Sequence, residues 1–382
     1  MKSMLRLSGL ACAGLLLSSV SLFSPVSAWA GPKVVSGPGA NTGCFKPWSD
    51  QTKFFQWEKK AGPYKIALVN GFVGNTWRIQ MVKTAKAFAE QPGIKENIKE
   101  FKVVSTGTDV AAQLGAMEDF INQGFDAIIT IAVAPDGFDR IIRLADKNNV
   151  VVVPFDNILD TDKVMMVNED QKEMGRMSAK WLITEGGKTS GDILEVRGLP
   201  GNSVDRDRHL GFREVLEAAG NKFNITEVVG NWDTGTSQKV TADALAVHGH
   251  FDGVFTQGGS DGTVQAMIAA KHPFVAMSGE GENEFRKQIA DHYKEGLKGM
   301  SYGQSPALVA IATKAAISAL QGNVMPQLIS IPIPVATYKD LKPGENFWPD
   351  LKANFFAPNQ FLPCGVTFTA PEIMAQSEKN TQ

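Results

Sequence analysis

The strongest catalytic pattern in the chain is Gly258-Gly259-Ser260-Asp261-Gly262. Its Gly-x-Ser-x-Gly spacing is that of a nucleophile elbow, where a tight strand-to-helix turn offers a serine hydroxyl for attack. A hydrolase of that kind also needs an acid and a later histidine. Only His272 and His292 follow Ser260, both close to it in sequence and both in helical contexts. The glycines therefore read first as a tight turn, with a secreted esterase using Ser260 as the alternative. His248-Gly249-His250 has no accompanying Cys, His or acidic set at metal-ligand spacing. No P-loop occurs, and Gly37, Gly39 and Gly43 lack the preceding strand that a nucleotide-binding turn requires. Neither a metal nor an organic cofactor is indicated.

A second set of residues is suited to hydrogen bonding rather than to bond breaking. Asn75, Trp77 and Arg78, then Asp156 and Asn157, follow the first and fourth of a series of short apolar runs. Arg197, Arg206 and Arg208 follow a later run, and Trp232, Asp233, Gln257, Asp261, Glu280 and Gln304 stand after others. Singly, each residue has an ordinary role as a loop residue or helix cap, and Trp77 continues an apolar helix face with Met81, Ala85 and Phe88. Together, carboxylates, guanidinium groups, amides and indoles suit a sugar. Its hydroxyls both donate and accept, and its C–H faces stack on aromatic rings.

The elements that must position these groups alternate regularly. Tyr64 to Val69 has β character, and the next helical spacing runs from Asn75 to Glu90. Strand-like runs recur at 101–105, 126–133, 150–155, 192–196, 225–229, 253–256, 274–277 and 299–302. Helical patterns lie between most of them, at 110–123, 137–147, 169–184, 204–219, 237–248, 263–271 and 306–320. Repeated β-α-β units with continuous apolar strands predict parallel sheets covered on both faces. So many strands exceed one open sheet, which predicts two doubly wound α/β domains. In such sheets ligands bind beyond the carboxyl ends of the strands, where the polar residues above stand.

Composition narrows the class. Of 382 residues 43% are hydrophobic and 20% charged, with a net charge of −2 and no basic block, which disfavours a nucleic-acid partner. Lys2 and Arg6, the uncharged run Leu7 to Val20, Pro25 and Ala28-Trp29-Ala30 form the pattern of a signal peptide cut after Ala30. The mature chain, residues 31 onward, is then expected in the periplasm. Of the three cysteines, Cys12 leaves with the signal peptide, and Cys44 and Cys364 remain as an even pair in an oxidising compartment. They are expected to form a disulfide. Residues 31–61 read as an irregular N-terminal extension, and the Pro-rich residues 346–382 as a wrapping tail.

The motifs from about Tyr64 to Leu320 resemble the ribose- and galactose-type periplasmic sugar-binding proteins, the type I receptors of ABC transporters. Met117 to Ile129 is similar to the family's helix-strand signature, and Val151 to Asp156 to its strand ending in Asp. Gly201 to Phe212 resembles its Ser-x-x-Arg-x-Arg-x-x-Gly-Phe segment, whose first Arg would be Arg206. Asn231-Trp232-Asp233 resembles its aromatic-Asp step. Departures occur at Asn75-Thr76-Trp77-Arg78, at Gly258-Gly259-Ser260-Asp261 and at Glu280, where the family usually has Asn-Pro-Phe-Phe, Asn-Asp and Asp.

The resemblance implies two Rossmann-like domains joined by a hinge: 62–167 with 304–332, and 168–303 with 333–345. Asn75, Trp77, Arg78, Asp156 and Asn157 would form one wall of the cleft. Arg206, Trp232, Gln257, Asp261 and Glu280 would form the other, with Gln304 near the hinge. The function implied is capture of a monosaccharide or polyol and its delivery to a membrane permease, without catalysis. A receptor for chemotaxis or for a sensor kinase is the related alternative.

Overall fold

The computed structural model describes residues 31–220, 222–351 and 355–381; the expected signal peptide and the cut after Ala30 lie outside them. Two short strands come first among the described residues, β1 (Lys33–Val35) and β2 (Phe54–Gln56). The first lobe follows with β3 (Tyr64–Asn70), α1 (Thr76–Ala89), β4 (Ile98–Ser105), α2 (Val110–Asn122), β5 (Ala127–Ile131), α3 (Asp139–Lys147), β6 (Val151–Pro154) and β7 (Met166–Glu169). The second lobe runs through α4 (Gln171–Gly186), β8 (Gly191–Arg197), α5 (Ser203–Ala218), β9 (Phe223–Val229), α6 (Thr234–His248), β10 (Gly253–Thr256), α7 (Ser260–Ala269), β11 (Ala276–Glu280), α8 (Asn283–His292) and β12 (Gly299–Tyr302). The chain then returns through α9 (Leu308–Leu320), β13 (Met325–Pro326) and β14 (Leu328–Ile331), and ends with β15 (Val335–Thr337) and α10 (Ala370–Met374).

Alternation along the strands builds the two cores. In β3, Ile66 and Leu68 face α1 and α9, while Ala67 and Val69 face α2 and α3; all four are fully buried. The first sheet has the parallel order β4-β3-β5-β6, and a bridge from Phe155 to Val167 continues it to β7, which pairs in parallel with β14. The second has the order β15-β12-β11-β10-β8-β9, parallel except for β15. In each sheet a strand early in the lobe, β3 or β8, lies between its two successors, so the connections diverge beyond its carboxyl end. That divergence opens a crevice there.

The chain passes between lobes after β7, after β12 and between β14 and β15, and Gly303 N–H donates to the Pro334 carbonyl at 2.7 Å, tying two passages together. The first-lobe strand reaches Glu169, two residues beyond the division expected at 167. The extension is also less irregular than its composition predicts. β1, β2 and β13 form a small antiparallel sheet that the aromatic Phe54 and Phe55 anchor by pairing with Met325 and Pro326. Cys44 and Cys364 form a disulfide across 320 residues, with Cα atoms 4.8 Å apart.

Two glycines set the helix spacing that matters for the cleft. A Cβ on Gly175 of α4 would lie 2.0 Å from the Arg208 carbonyl oxygen, and one on Gly211 of α5 would lie 1.9 Å from that of Lys172. Backbone contact between α4 and α5 holds Arg208 against the root of the second lobe. No helix among the described residues is long and apolar enough to cross a membrane.

Candidate functional site

Asn75 caps α1, its Oδ1 accepting the Arg78 N–H at 2.9 Å, so the first turn of the helix presents Trp77 and Arg78 at the carboxyl end of β3. The Trp77 indole N–H donates to the Gln304 carbonyl at 2.9 Å, which fixes the ring against the passage after β12. Arg78 is buried, donates to Asn70 Oδ1 at 2.8 Å and lies over the Phe72 ring. Burial lowers its pKa to about 10, partly offset by Asp156. Asp156 sits at φ 59°, a left-handed turn that Asp tolerates, and its Oδ1 is buried without a hydrogen-bond partner. Burial pushes that carboxyl up to about 7 against the pull of Arg78 and Arg208. Asn157 donates to the Ala132 carbonyl at 3.2 Å.

From the second lobe, Trp232 enters on a positive-φ turn at 56°, packs its indole against Gly198 and keeps a buried, unpartnered indole N–H. A Cβ at position 198 would meet that ring at 2.2 Å. Behind this lobe's wall Arg208 is wholly buried. Its Nη1 donates to Glu280 Oε1 at 2.6 Å and to the Gln257 carbonyl at 2.7 Å, its Nε donates to Gln171 Oε1 at 2.9 Å, and its Nη2 donates to Gln304 Oε1. Burial opposes the Arg208 charge, but Glu280 and its neighbours more than offset this and raise its pKa. Burial likewise raises Glu280, and Arg208 draws it back.

These groups enclose two adjoining chambers. The inner one is lined by Asn75, Trp77, Arg78, Asp156, Asn157, Val204, Trp232, Glu280 and Gln304 and has closed to about 20 Å³, room for about one water. The outer one, about 360 Å³, shares Asn75, Trp77, Trp232 and Glu280 and adds Asp233, Thr234, Asp261, Glu282 and Phe356. Contacts between lobes close the rim: Arg206 donates to both oxygens of Asp160 at 2.6 and 3.0 Å, and Ser203 Oγ donates to the Ile158 carbonyl at 3.2 Å. A larger cavity of about 890 Å³ between the hinge passages and the tail has mostly apolar walls and lies apart from these polar groups.

Arg206 does not line either chamber, where the family resemblance would put it. It is partly exposed, bonded to Asp160 and Asp207, and outside the chambers, while Arg208 is buried behind the wall, against the lining residues Glu280 and Gln304. Residues two apart on a helix point to nearly opposite sides. Val204, Arg208, Gly211 and Phe212 share the buried face of α5, a spacing legible in the sequence. Gln257 contributes its carbonyl to Arg208 and donates to the Asp205 carbonyl at 3.3 Å, standing behind the wall rather than on it. Asp261 reaches only the outer chamber, where its Oδ1 accepts the Thr234 hydroxyl at 2.9 Å. Gln171, Glu282 and Phe356 are additions that no local motif announces.

The glycine turn at 258–260 does not make an elbow. Gly259 adopts φ 70° beneath the Asp233 carbonyl, and Ser260 Oγ is buried and accepts the Glu280 N–H at 3.1 Å. The following histidines are engaged elsewhere, His272 with Phe251 N–H and His292 with Glu295.

The periplasmic binding protein domain model matches residues 66–323. A ribose import binding protein of Bacillus subtilis is 24% identical over 294 residues, 74% of this chain and 92% of that protein. The solved solute-binding protein of an ABC transporter from Thermobispora bispora superposes with a TM-score of 0.67 at 25% identity, covering 75% of this chain and 91% of that one. The arabinose-transporter binding protein of Shewanella sp. ANA-3 gives a TM-score of 0.63 at 25% identity, covering 72% and 92%. By its family match and its pair of doubly wound lobes, the chain belongs to the periplasmic binding protein family and has the type I fold.

Proposed function

We propose that the protein captures a monosaccharide or a related polyol between its lobes in the periplasm and delivers it to the permease of an ABC transporter. One observation carries this reading. The inner chamber is lined from one lobe by Asp156 and from the other by Trp232, whose Oδ1 acceptor and indole N–H donor are both buried without partners. Such groups are costly to leave unpaired, and ligand hydroxyls, which accept and donate, satisfy both. Trp77 and Trp232 add ring surface for C–H faces. The relatives named for ribose and arabinose support a sugar as the ligand class. Because the inner chamber has closed to about 20 Å³, the lobes or the Trp232 ring must move apart to admit a sugar. Contacts to both walls then exist only in the closed form, which is what drives closure.

A thermal-shift screen against ribose, arabinose, galactose and xylitol tests the proposal. A true ligand at roughly 1,000 times its Kd raises stability by about 4 kcal/mol. Absence of any shift, together with hydrolysis of a chromogenic ester that is lost in Ser260→Ala, would replace this reading with the esterase.

A further inference from the structure

The outer chamber has a charge imbalance that the inner one lacks. Asp233, Asp261, Glu280 and Glu282 stand on its walls beside the indoles of Trp77 and Trp232, and no Lys or Arg does among the described residues. Three of the carboxyls are engaged. Asp233 caps α6 by accepting the Thr236 N–H at 2.7 Å, Asp261 accepts the Thr234 hydroxyl at 2.9 Å, and Glu280 is paired with Arg208 at 2.6 Å. Glu282 is only half engaged. Its Oε1 accepts the N–H groups of Gly259 and Ser260 at 2.6 and 3.2 Å, whereas its Oε2 is buried with no hydrogen-bond partner. The residue is 7% exposed. Burial, with Glu280 and Asp261 as like-charged neighbours, holds its carboxyl up at about 8.

A neutral hydroxyl could fill the open lone pair, but only a cation would draw the proton off a carboxyl held at about 8 and meet walls that, among the described residues, carry four carboxyl groups and no Lys or Arg. A protonated amine supplies both a donor and the missing charge, and the two indoles are surfaces to which a cation is drawn.

We infer that the outer chamber binds a protonated amino group, so that the ligand is an amino sugar or amino polyol with its hydroxyls in the inner chamber and its amine against Glu282. This rests on the sugar-capture reading and narrows it.

The test is calorimetry at neutral pH on the mature protein with matched pairs: galactose and galactosamine, glucose and glucosamine, sorbitol and 1-amino-1-deoxysorbitol. The amine of at least one pair is expected to bind about tenfold or more tightly than its neutral partner, a gap of about 1.4 kcal/mol. Glu282→Gln, which keeps the acceptor for Gly259 and Ser260, should cut that preference to about threefold or less. Asp261→Asn should reduce it too, which keeps the test open if the first variant does not fold. If the neutral member binds as well or better in every pair that binds, the amine site falls and sugar capture stands. The site also falls if the amine preference survives both substitutions. If no member of any pair binds and the screen of neutral sugars is also blank, both readings fall.

Discussion

Arg208 of the second lobe lies 2.6 Å from Glu280 with its guanidinium wholly out of water, and the same group reaches Gln304 on the passage back to the first lobe. One side chain thus joins Glu280 of the chamber wall to the passage between the lobes. Removing either partner of a buried pair leaves the other charge uncompensated, at a cost of about 3 to 5 kcal/mol. Arg208→Ala is expected to lower the melting temperature and to weaken ligand binding by about a hundredfold or more. Glu280→Gln should act in the same direction. Calorimetric titration checks both, and an Arg208 variant that binds like wild type would show that the chamber wall does not depend on it.

Arg206 should behave differently. Its fork to Asp160 crosses the rim but is largely solvated, and exposed pairs contribute about 0.2 to 1 kcal/mol. Arg206→Ala is therefore expected to weaken affinity by about fivefold or less, an effect that fades in high salt as the pair is screened. Binding titrations at low and high ionic strength measure it.

The tail is stitched to both lobes. Phe356 exchanges two hydrogen bonds with the Gln80 side chain of α1, at 2.7 and 3.1 Å, while Asn283 N–H donates to the Phe355 carbonyl and Ala357 N–H to the Gly281 carbonyl, each at 2.8 Å. The Cys44–Cys364 disulfide anchors the end of this strap. Reduction, or Cys364→Ser, should lower stability by about 2 to 5 kcal/mol, the usual cost of losing a native disulfide, with about 6 kcal/mol as the chain-entropy ceiling for so long a loop. It should also speed hydrogen exchange at Phe356 and Ala357 while the central strands stay protected. Mass-resolved exchange distinguishes this from global loosening.

Asp156 gives a pH dependence of defined sign. Its carboxyl is raised on folding, from an ordinary 3.8 to about 7, chiefly by burial. Its contribution favours the folded, closed form fully below the ordinary value and is lost as pH climbs through the raised one. The ligand-free protein should therefore lose stability, relative to Asp156→Asn, from about pH 4 to about pH 7, at about 1.4 kcal/mol per unit at most. Melting curves of the two proteins across that range test it, and parallel curves would contradict the buried, unpaired carboxyl.

Gly211→Ala tests the helix contact that seats Arg208. The added methyl meets the Lys172 carbonyl at 1.9 Å, a backbone atom that cannot swing aside. A loss of about 1 to 3 kcal/mol or more is expected from overpacking, with weakened ligand binding because α5 is pushed off α4. Unchanged melting would show that the helices separate freely.

Local patterns in the sequence determined a great deal. Runs such as Ile66 to Val69 and Val151 to Val153 are apolar on both faces because parallel strands are covered on both sides, so the strand-helix alternation and the two-sheet architecture are written in short windows. Polar residues following those strands marked Asn75, Trp77, Arg78, Asp156, Trp232 and Glu280, because a doubly wound sheet puts its crevice there. That Arg208 is buried and Arg206 is not was also present in the period of α5, but a motif names residue types and not helix faces. What only the tertiary structure decided depends on partners far apart in the chain. Glu282 reads as a loop residue until α7 brings Gly259 and Ser260 to one of its oxygens and leaves the other bare. Phe356 joins the wall of the outer chamber only because Gln80, 276 residues earlier, holds its backbone there. Those contacts are set by how helices and the tail pack in three dimensions, and no spacing within a short window records them.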